Sequence, residues 1–140
     1  MRGPMLGTCD VMAFVATKDA ERAKAFYRDT LGLRLVADER FSLVFDAHGT
    51  MLRVQKVQQV AIAPYTALGW RVADLRGIIR DLIRKGVAFE RFGSPSQFRQ
   101  DDLGIWTAED GTMVAWFKDP DGNTLSLTEF QTDSPLSSTG

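Results

Sequence analysis

Short hydrophobic runs and polar turns alternate along the chain in an order that occurs twice. The apolar run at residues 11–17 predicts a buried strand. Asp19 can cap the helix that follows, and Gly32 is a typical left-handed stop at its end. The next apolar runs, separated by turn residues, predict strands at residues 33–37, 41–45 and 51–57. The first half of the chain therefore predicts a βαβββ module over residues 10–57.

The second half repeats this order of elements. A predicted strand at residues 67–72 precedes a helix that runs from Asp74 through Arg84 and stops at Gly86. Three more apolar runs predict strands at residues 87–92, 113–117 and 124–129. Because the order of elements matches the first half, we predict a second βαβββ module over residues 67–130.

The connections between these elements differ in length. The hairpins around Gly49 and Gly122 have similar sequences, each with glycine at the third position of a predicted three-residue loop. The connection at residues 93–112 is much longer and partly apolar, which predicts either a plain surface loop or a cover over a binding cavity. Residues 58–66 carry one proline and no charge run, so they join the modules within one domain. Residues 131–140, rich in Ser and Thr, predict a disordered tail.

Composition and charge argue against several classes of partner. The chain has 17 basic and 18 acidic residues, a formal net charge of −1, spread along its whole length. Such a pattern gives no basic surface patch of the kind that binds nucleic acid or an anionic membrane. No apolar run approaches the ~20 residues of a transmembrane helix, and a single cysteine, Cys9, excludes an internal disulfide framework. We therefore expect a cytoplasmic protein without nucleic-acid or membrane partners.

Two short motifs, in this order of elements, resemble a known family. Ala25-Phe26-Tyr27 lies on the first predicted helix before Leu31-Gly32-Leu33, and Asp119-Pro120-Asp121-Gly122-Asn123 precedes the last predicted strand. Residues 10–130 thus resemble the vicinal oxygen chelate superfamily, which includes glyoxalase I, bleomycin resistance proteins and extradiol dioxygenases. The resemblance implies an α+β fold in which two βαβββ modules form an eight-stranded cup around a small-molecule cavity. It also implies that two chains pack as a homodimer.

Metal-dependent members of this family hold a divalent ion on a His or Gln in the first strand and a Glu in the last strand of each module. The matching first-strand positions fall on Met12 and Ala67, and the last-strand positions fall on Arg53 and Ser126. Divalent transition metals need nitrogen or oxygen donors, and a protonated guanidinium has no lone pair to offer. We therefore predict a member that lacks the metal ligands and uses no cofactor.

Strand alternation predicts which side chains face the cavity. Across a three-residue turn, Leu43 would pair with Arg53 on that face. The matching turn of the second module would pair Trp116 with Ser126. Trp106 shares the face of Trp116 if the loop before the next strand has three residues, and faces the opposite way if the loop has two. The predicted ligand-binding residues are Met12, Phe14, Leu43, Arg53, Ala67, Arg71, Trp106, Trp116 and Ser126.

No catalytic residue can be assigned from the sequence. It contains no Gly-rich phosphate loop, and its single histidine, His48, lies in a predicted turn. Glu90 would face the pocket as a base only in one of its two strand registers. Arg53 has two interpretations: a cation that orients a ligand, or an architectural arginine paired with a carboxylate such as Asp10 or Glu90.

Three functions remain open at this point. The leading hypothesis is a metal-free protein that sequesters an aromatic or drug-like compound, similar to the bleomycin resistance proteins. The alternative is a lyase, isomerase or other enzyme on the same cup that holds an anionic substrate with arginine rather than metal. The third is a protein whose cavity is filled by its own side chains and which acts through its dimer face. A cavity smaller than about 300 Å³ would favour the third.

Overall fold

A computed structural model describes residues 5–92 and 99–131, and the chain divides into two units, Met1–Ala61 and Ile62–Gly140. Within the described residues each unit has the element order strand, helix and three strands, and each forms one four-stranded sheet. This confirms the predicted α+β fold of two βαβββ modules. The predicted tail from residue 132 onwards, and residues 93–98 of the long connection, lie outside the described residues.

The first unit pairs its strands in the order β1-β4-β3-β2. Asp19 caps helix α1 as predicted, because its carboxylate accepts a hydrogen bond from the Arg22 N–H at 3.2 Å. The helix continues directly into a π-helical turn, where fully buried Tyr27 packs against Phe45 with ring centroids 5.8 Å apart. The elements are β1 Met12–Thr17, α1 Ala20–Ala25, the π turn Phe26–Thr30, β2 Arg34–Asp38, β3 Ser42–Ala47 and β4 Thr50–Lys56.

The hairpin between β3 and β4 is one residue shorter than predicted. Ala47 pairs with Thr50, so the loop consists of His48 and Gly49 alone. Their φ angles are 51° and 94°. Positive φ at both central residues is the type I′ arrangement, whose twist matches the twist of the flanking strands. The predicted three-residue loop is therefore wrong at this hairpin.

The shorter loop changes the register of β3 against β4. Arg53 pairs with Val44, whereas Leu43 pairs with Val54. The predicted pairing of Leu43 with Arg53 is thus wrong, because a one-residue change of register moves a side chain to the opposite face. Leu43 is fully buried on the face that carries Phe45, the partner of Tyr27 from the helical segment.

The second unit pairs its strands in the equivalent order, β5-β8-β7-β6. Helix α2 begins one residue after the predicted start at Asp74, because Asp74 is its cap and accepts from the Gly77 N–H at 3.1 Å. Glu129 accepts from the Leu75 N–H at 2.9 Å. In the described part of the chain no helix is long and apolar enough to cross a membrane, and α2 has ten residues. The elements are β5 Leu68–Arg71, α2 Leu75–Arg84, β6 Trp106–Thr107, β7 Met113–Lys118 and β8 Thr124–Glu129.

The predicted strand at residues 87–92 is reduced to a single bridge between Phe89 and Phe117. The side chain of Gln100 explains why no longer ladder forms. Its Nε2 donates to the carbonyl oxygens of Glu90 at 3.0 Å and Gly104 at 2.8 Å, and its Oε1 accepts from the Phe92 N–H at 2.8 Å. Because backbone groups must find partners, a side-chain amide here takes the place of a neighbouring strand.

Candidate functional site

One face of the second sheet carries most of the residues predicted for that module. Trp116 pairs with Ser126, as predicted, and Ser126 pairs with Gly69 on β5. These three residues form a row across the sheet, on the face opposite to buried Phe117 and Leu125. A Cβ atom at Gly69 would lie 2.6 Å from the Ser126 Oγ, so glycine at this position leaves room for the hydroxyl.

Trp106 lies on the same face as Trp116. A hydrogen bond from the Ala108 N–H to the Thr112 carbonyl oxygen, at 2.8 Å, closes the turn before β7. The loop inside this hydrogen bond has three residues, 109–111. Trp106 consequently pairs with Val114, two residues before Trp116 on β7. Of the two loop lengths considered for this turn, the three-residue loop forms, and it places Trp106 on the face of Trp116.

A cleft of about 560 Å³ opens beside Trp116. Its volume falls within the range of roughly 300–1,000 Å³ that is typical of small-molecule sites. All its described lining residues belong to the second unit. They are Ile62, Ala63, Pro64, Tyr65, Thr66, Phe92, Trp116, Lys118 and Thr124.

The indole of Trp116 is held in a fixed orientation. Its Nε1–H donates to the Thr66 Oγ1 at 3.2 Å. The ring of Phe92 meets it edge to face, with centroids 5.4 Å apart and an interplanar angle of 81°. An indole fixed by a hydrogen bond and a ring contact offers a preorganised apolar surface for a flat ligand. Trp116 and Phe92 together form one side of the cleft, which we call its aromatic wall.

Lys118 supplies the positive charge of the cleft. It follows Trp116 by two residues on β7, so its side chain shares the same face, roughly 6.5–7 Å further along the strand. Its Nζ donates to the Thr124 Oγ1 at 3.0 Å. Within residues 5–92 and 99–131, no carboxylate forms an ion pair with Lys118. The cleft therefore joins an aromatic wall to a cation bonded to a neutral hydroxyl.

The turn after Lys118 is fixed by the buried carboxylate of Asp119. Its Oδ1 accepts from the N–H groups of Asp121 at 3.0 Å and Asn123 at 2.9 Å, and its Oδ2 accepts from the Asn123 Nδ2 at 2.8 Å. Gly122 closes the turn with φ of 93°, a conformation that glycine adopts without steric cost. Three hydrogen bonds to one carboxylate thus hold β7 and β8 in the register that places Lys118 opposite Thr124.

In the first unit, the guanidinium of Arg53 forms hydrogen bonds with two nearby side chains. Its Nη2 donates to the Glu39 Oε1 at 2.7 Å and to the Ser42 Oγ at 2.9 Å. The guanidinium is therefore neutralised by a neighbouring carboxylate, and that carboxylate is Glu39 rather than Asp10 or Glu90. Since Glu39 is half exposed, this pair resembles a surface ion pair more than a buried one.

Met12 and Phe14 share the face of Arg53. Phe14 pairs directly with Arg53, and Met12 precedes it by two residues on β1. Their exposed fractions are 44% and 49%, so they belong neither to the packed core of this unit nor to the lining described for the cleft. Their predicted role in ligand binding stays a prediction.

Asp38 is a second carboxylate of the first unit with cationic neighbours. Hydrogen bonds from Lys24 and from Lys56, at 2.7 Å and 2.6 Å, lower the pKa of its carboxyl group to about 2. A carboxylate with so low a pKa is a weak proton acceptor near neutral pH. Asp38 is therefore poorly suited to act as a general base.

A family model described as Glyoxalase/Bleomycin resistance protein/Dioxygenase superfamily matches residues 10–127. The chain belongs to this superfamily. Among the curated proteins compared with it, none matches. This superfamily member shares its fold with many solved structures. The three given below are less than 25% identical to it and establish the fold alone.

Three of these solved structures are similar to this chain over most of its length. A glyoxalase family protein from Enterococcus faecalis is 20% identical, with a TM-score of 0.68, covering 89% of this chain and 100% of that chain. Lactoylglutathione lyase from Agrobacterium tumefaciens is 18% identical, with a TM-score of 0.66 and coverages of 86% and 93%. The antibiotic binding protein TnmS3 from a Streptomyces species is 23% identical, with a TM-score of 0.62 and coverages of 91% and 100%.

The residues that the family resemblance assigns to the metal positions do not fit a divalent transition metal. They are Met12 and Arg53 in the first unit, and Ala67 and Ser126 in the second. A thioether, a guanidinium, a methyl group and one hydroxyl do not form the nitrogen and carboxylate donor set that such ions require. Nor does the described part of the chain contain any group of three His, Cys, Asp or Glu side chains that could hold a metal ion.

The structure also shows which cleft residues sequence reasoning missed. Of the predicted ligand-binding residues, only Trp116 belongs to the lining described above. Arg71 shares the face of Trp116 but places its guanidinium 5.1 Å from the ring centroid of Phe130. Lys118 and Thr124 were available from strand alternation, because each lies two residues from a residue in the predicted set. Phe92 and residues 62–66 carried no pattern that would have placed them there.

Proposed function

We propose that this superfamily member is a metal-independent protein that binds a small aromatic compound in the cleft beside Trp116. It sequesters that compound and performs no chemistry on it. The observation that carries the proposal is the fixed indole of Trp116 on the wall of a cleft of about 560 Å³. Apolar walls with a few placed polar groups are the usual composition of sites for drug-sized ligands.

Two further observations support binding as the function. The cleft is larger than the limit of roughly 300 Å³ below which a cavity filled by its own side chains would be favoured. A protein of the same fold, TnmS3, is described as an antibiotic binding protein. The fold does not decide the function, so the cleft itself must be tested.

The alternative of an arginine-dependent enzyme receives less support. Arg53 is neutralised by Glu39, and the guanidinium of Arg71 lies over Phe130. Neither arginine belongs to the described lining of the cleft, which also contains no carboxylate or histidine that could act as a base. Small-molecule binding is therefore the function that the site supports best.

Replacement of Trp116 by alanine tests the proposal. Acridine-9-carboxamide, a neutral planar compound, serves as the probe, with an expected Kd of about 0.2 mM or tighter for a ligand of its size. Because Trp116 forms the aromatic wall, Trp116→Ala should weaken binding by at least about tenfold. Isothermal titration calorimetry measures both affinities, with thermal unfolding as a check that the variant is folded.

Trp106→Ala is the matched control for this experiment. Trp106 lies on the same sheet face but outside the described lining of the cleft, so its loss should change the affinity by less than about threefold. Equal losses in both variants, or no saturable binding to the unmodified protein, would contradict the proposed site.

Removal of metal provides an independent prediction. We expect elemental analysis to find only substoichiometric transition metal in the purified protein, because the superfamily's ligand positions lack suitable donors. Treatment with EDTA should leave both the melting temperature and the affinity for the acridine probe unchanged. A stoichiometric ion whose removal abolishes probe binding would contradict metal independence.

The expected homodimer and the cytoplasmic location stay predictions. Sedimentation equilibrium of the purified protein measures the first, and fractionation of the source cells measures the second.

A further inference from the structure

We infer that the cleft prefers aromatic ligands that carry an acidic group, whose oxygens bind the ammonium group of Lys118 beside the flat surface of Trp116. This inference rests on the proposed function, because it specifies the chemical class of the ligand for the same cleft. It is carried by the charge of the described lining, the spacing of two side chains on β7 and the orientation of Lys118.

The described lining of the cleft carries one positively charged side chain and no acidic one. Lys118 is the cationic member of this lining, and the remaining members are apolar, aromatic or hydroxyl-bearing. Arg53 and Lys56 of the first unit have carboxylate partners within 2.7 Å. Lys118 differs from them because its hydrogen-bond partner is the neutral hydroxyl of Thr124.

A ligand that covers Lys118 changes the solvation of its ammonium group. A neutral aromatic compound would remove water from this cation and return no opposite charge, which is unfavourable. An acidic group would instead replace the lost water with a charge-assisted hydrogen bond, which is shorter and stronger than a neutral one. The cleft should therefore discriminate against neutral compounds of the same shape.

The geometry of β7 suits a compound with its ring and acid next to each other. Trp116 and Lys118 are separated by roughly 6.5–7 Å along the strand and face the same side. The hydrogen bond to Thr124 directs the Lys118 Nζ towards β8 and leaves the ammonium group two further protons to donate. A ring placed against Trp116 thus brings a directly attached carboxylate within reach of Lys118.

The test uses two probes of nearly identical shape, acridine-9-carboxylate and acridine-9-carboxamide. Calorimetric titration should show that the unmodified protein binds the carboxylate about tenfold more tightly than the carboxamide. In Lys118→Met, which keeps an unbranched apolar chain, the two affinities should converge to within about twofold. In Lys118→Arg the preference for the carboxylate should remain, because the positive charge is kept.

Lys85→Met is the control for a change of net charge. Lys85 caps the end of α2 in the same unit but is not part of the described cleft lining, so this variant should keep the preference for the carboxylate. For the unmodified protein, raising the salt concentration from about 20 mM to about 500 mM should reduce the preference, since mobile ions screen an exposed charge pair. This salt series needs no variant and checks the role of charge in the folded protein.

The possible outcomes separate this inference from the proposed function. If both probes bind with equal affinity and Lys118→Met changes neither, the preference for acids is wrong while aromatic binding at the cleft stands. If neither probe shows saturable binding, both ideas fail for ligands of this size. If the carboxylate is preferred equally by the unmodified protein and by Lys118→Met, a different cation binds it and the inference is overturned.

Discussion

Leu43→Ala is expected to lower the free energy of unfolding by about 2–5 kcal/mol. Leu43 is fully buried on the face of β3 that also carries Phe45, so its truncation removes apolar contacts and leaves a cavity. For a chain of this length the loss corresponds to a fall in melting temperature of roughly 5–20 °C. Urea unfolding followed by circular dichroism measures the free energy, and calorimetry measures the melting temperature.

Met12→Ala is the matched control, because it truncates a side chain of similar volume in the same sheet. Met12 is 44% exposed, and its loss should cost less than about 1 kcal/mol. The comparison distinguishes the observed register from the one predicted by the sequence. With Leu43 on the face of Arg53, its truncation would have little effect on stability, so near-equal stabilities for the two variants would argue against the register described here.

Much of the fold could be predicted because it depends on local chemistry. Asp19 caps the first helix where expected, since a side-chain carboxylate can satisfy the free N–H groups at a helix start. The second helix, predicted to start at Asp74, begins at the next residue with Asp74 as its cap. Gly32 and Gly86 end the helical segments with φ of 80° and 95°. Such capping and stop positions depend on residues close in sequence. Their local structure is therefore the same in the folded protein as the sequence predicts.

The predictions of strand register and strand length were wrong where the same residues could adopt two local conformations. The turn at His48 and Gly49 accepts either a two-residue or a three-residue loop from its sequence, and the twist of the paired strands favours the shorter one. One residue of difference was sufficient to place Leu43 on the wrong face. At Phe89, a side chain eleven residues later in the chain, that of Gln100, took the hydrogen bonds that a longer strand would have used.

The candidate site was predictable only in part for a related reason. Alternation along β7 identified the face of Trp116 and could equally have identified Lys118. Phe92 and Thr66 approach Trp116 through contacts across 24 and 50 positions of the chain, and no periodicity encodes such distances. Arg53 showed the opposite problem. Its charge suggested a ligand contact from the sequence, whereas it forms an ion pair with Glu39 in the connection between β2 and β3.

Asp119→Ala is expected to destabilise the protein by about 2–4 kcal/mol. The substitution removes the acceptor of three hydrogen bonds, from the N–H groups of Asp121 and Asn123 and from the Asn123 side chain. Each buried donor left without an acceptor costs roughly 1–3 kcal/mol, and the sum is reduced where water can reach the turn. Because the turn fixes Lys118 opposite Thr124, the preference for acridine-9-carboxylate over its carboxamide should also decrease.

Asp110→Ala separates the effect of this particular carboxylate from that of losing any turn aspartate. Asp110 lies in the exposed loop between β6 and β7, where its Oδ1 accepts from the Thr112 N–H at 2.9 Å. Since water can replace an exposed acceptor, this variant should lose no more than about 1 kcal/mol and should keep the preference for the carboxylate. Urea unfolding of both variants, followed by titration of the folded protein with both probes, tests the comparison. If Asp119→Ala were no less stable than Asp110→Ala, the buried carboxylate would not hold the β7–β8 turn, and the position of Lys118 in the cleft would require another explanation.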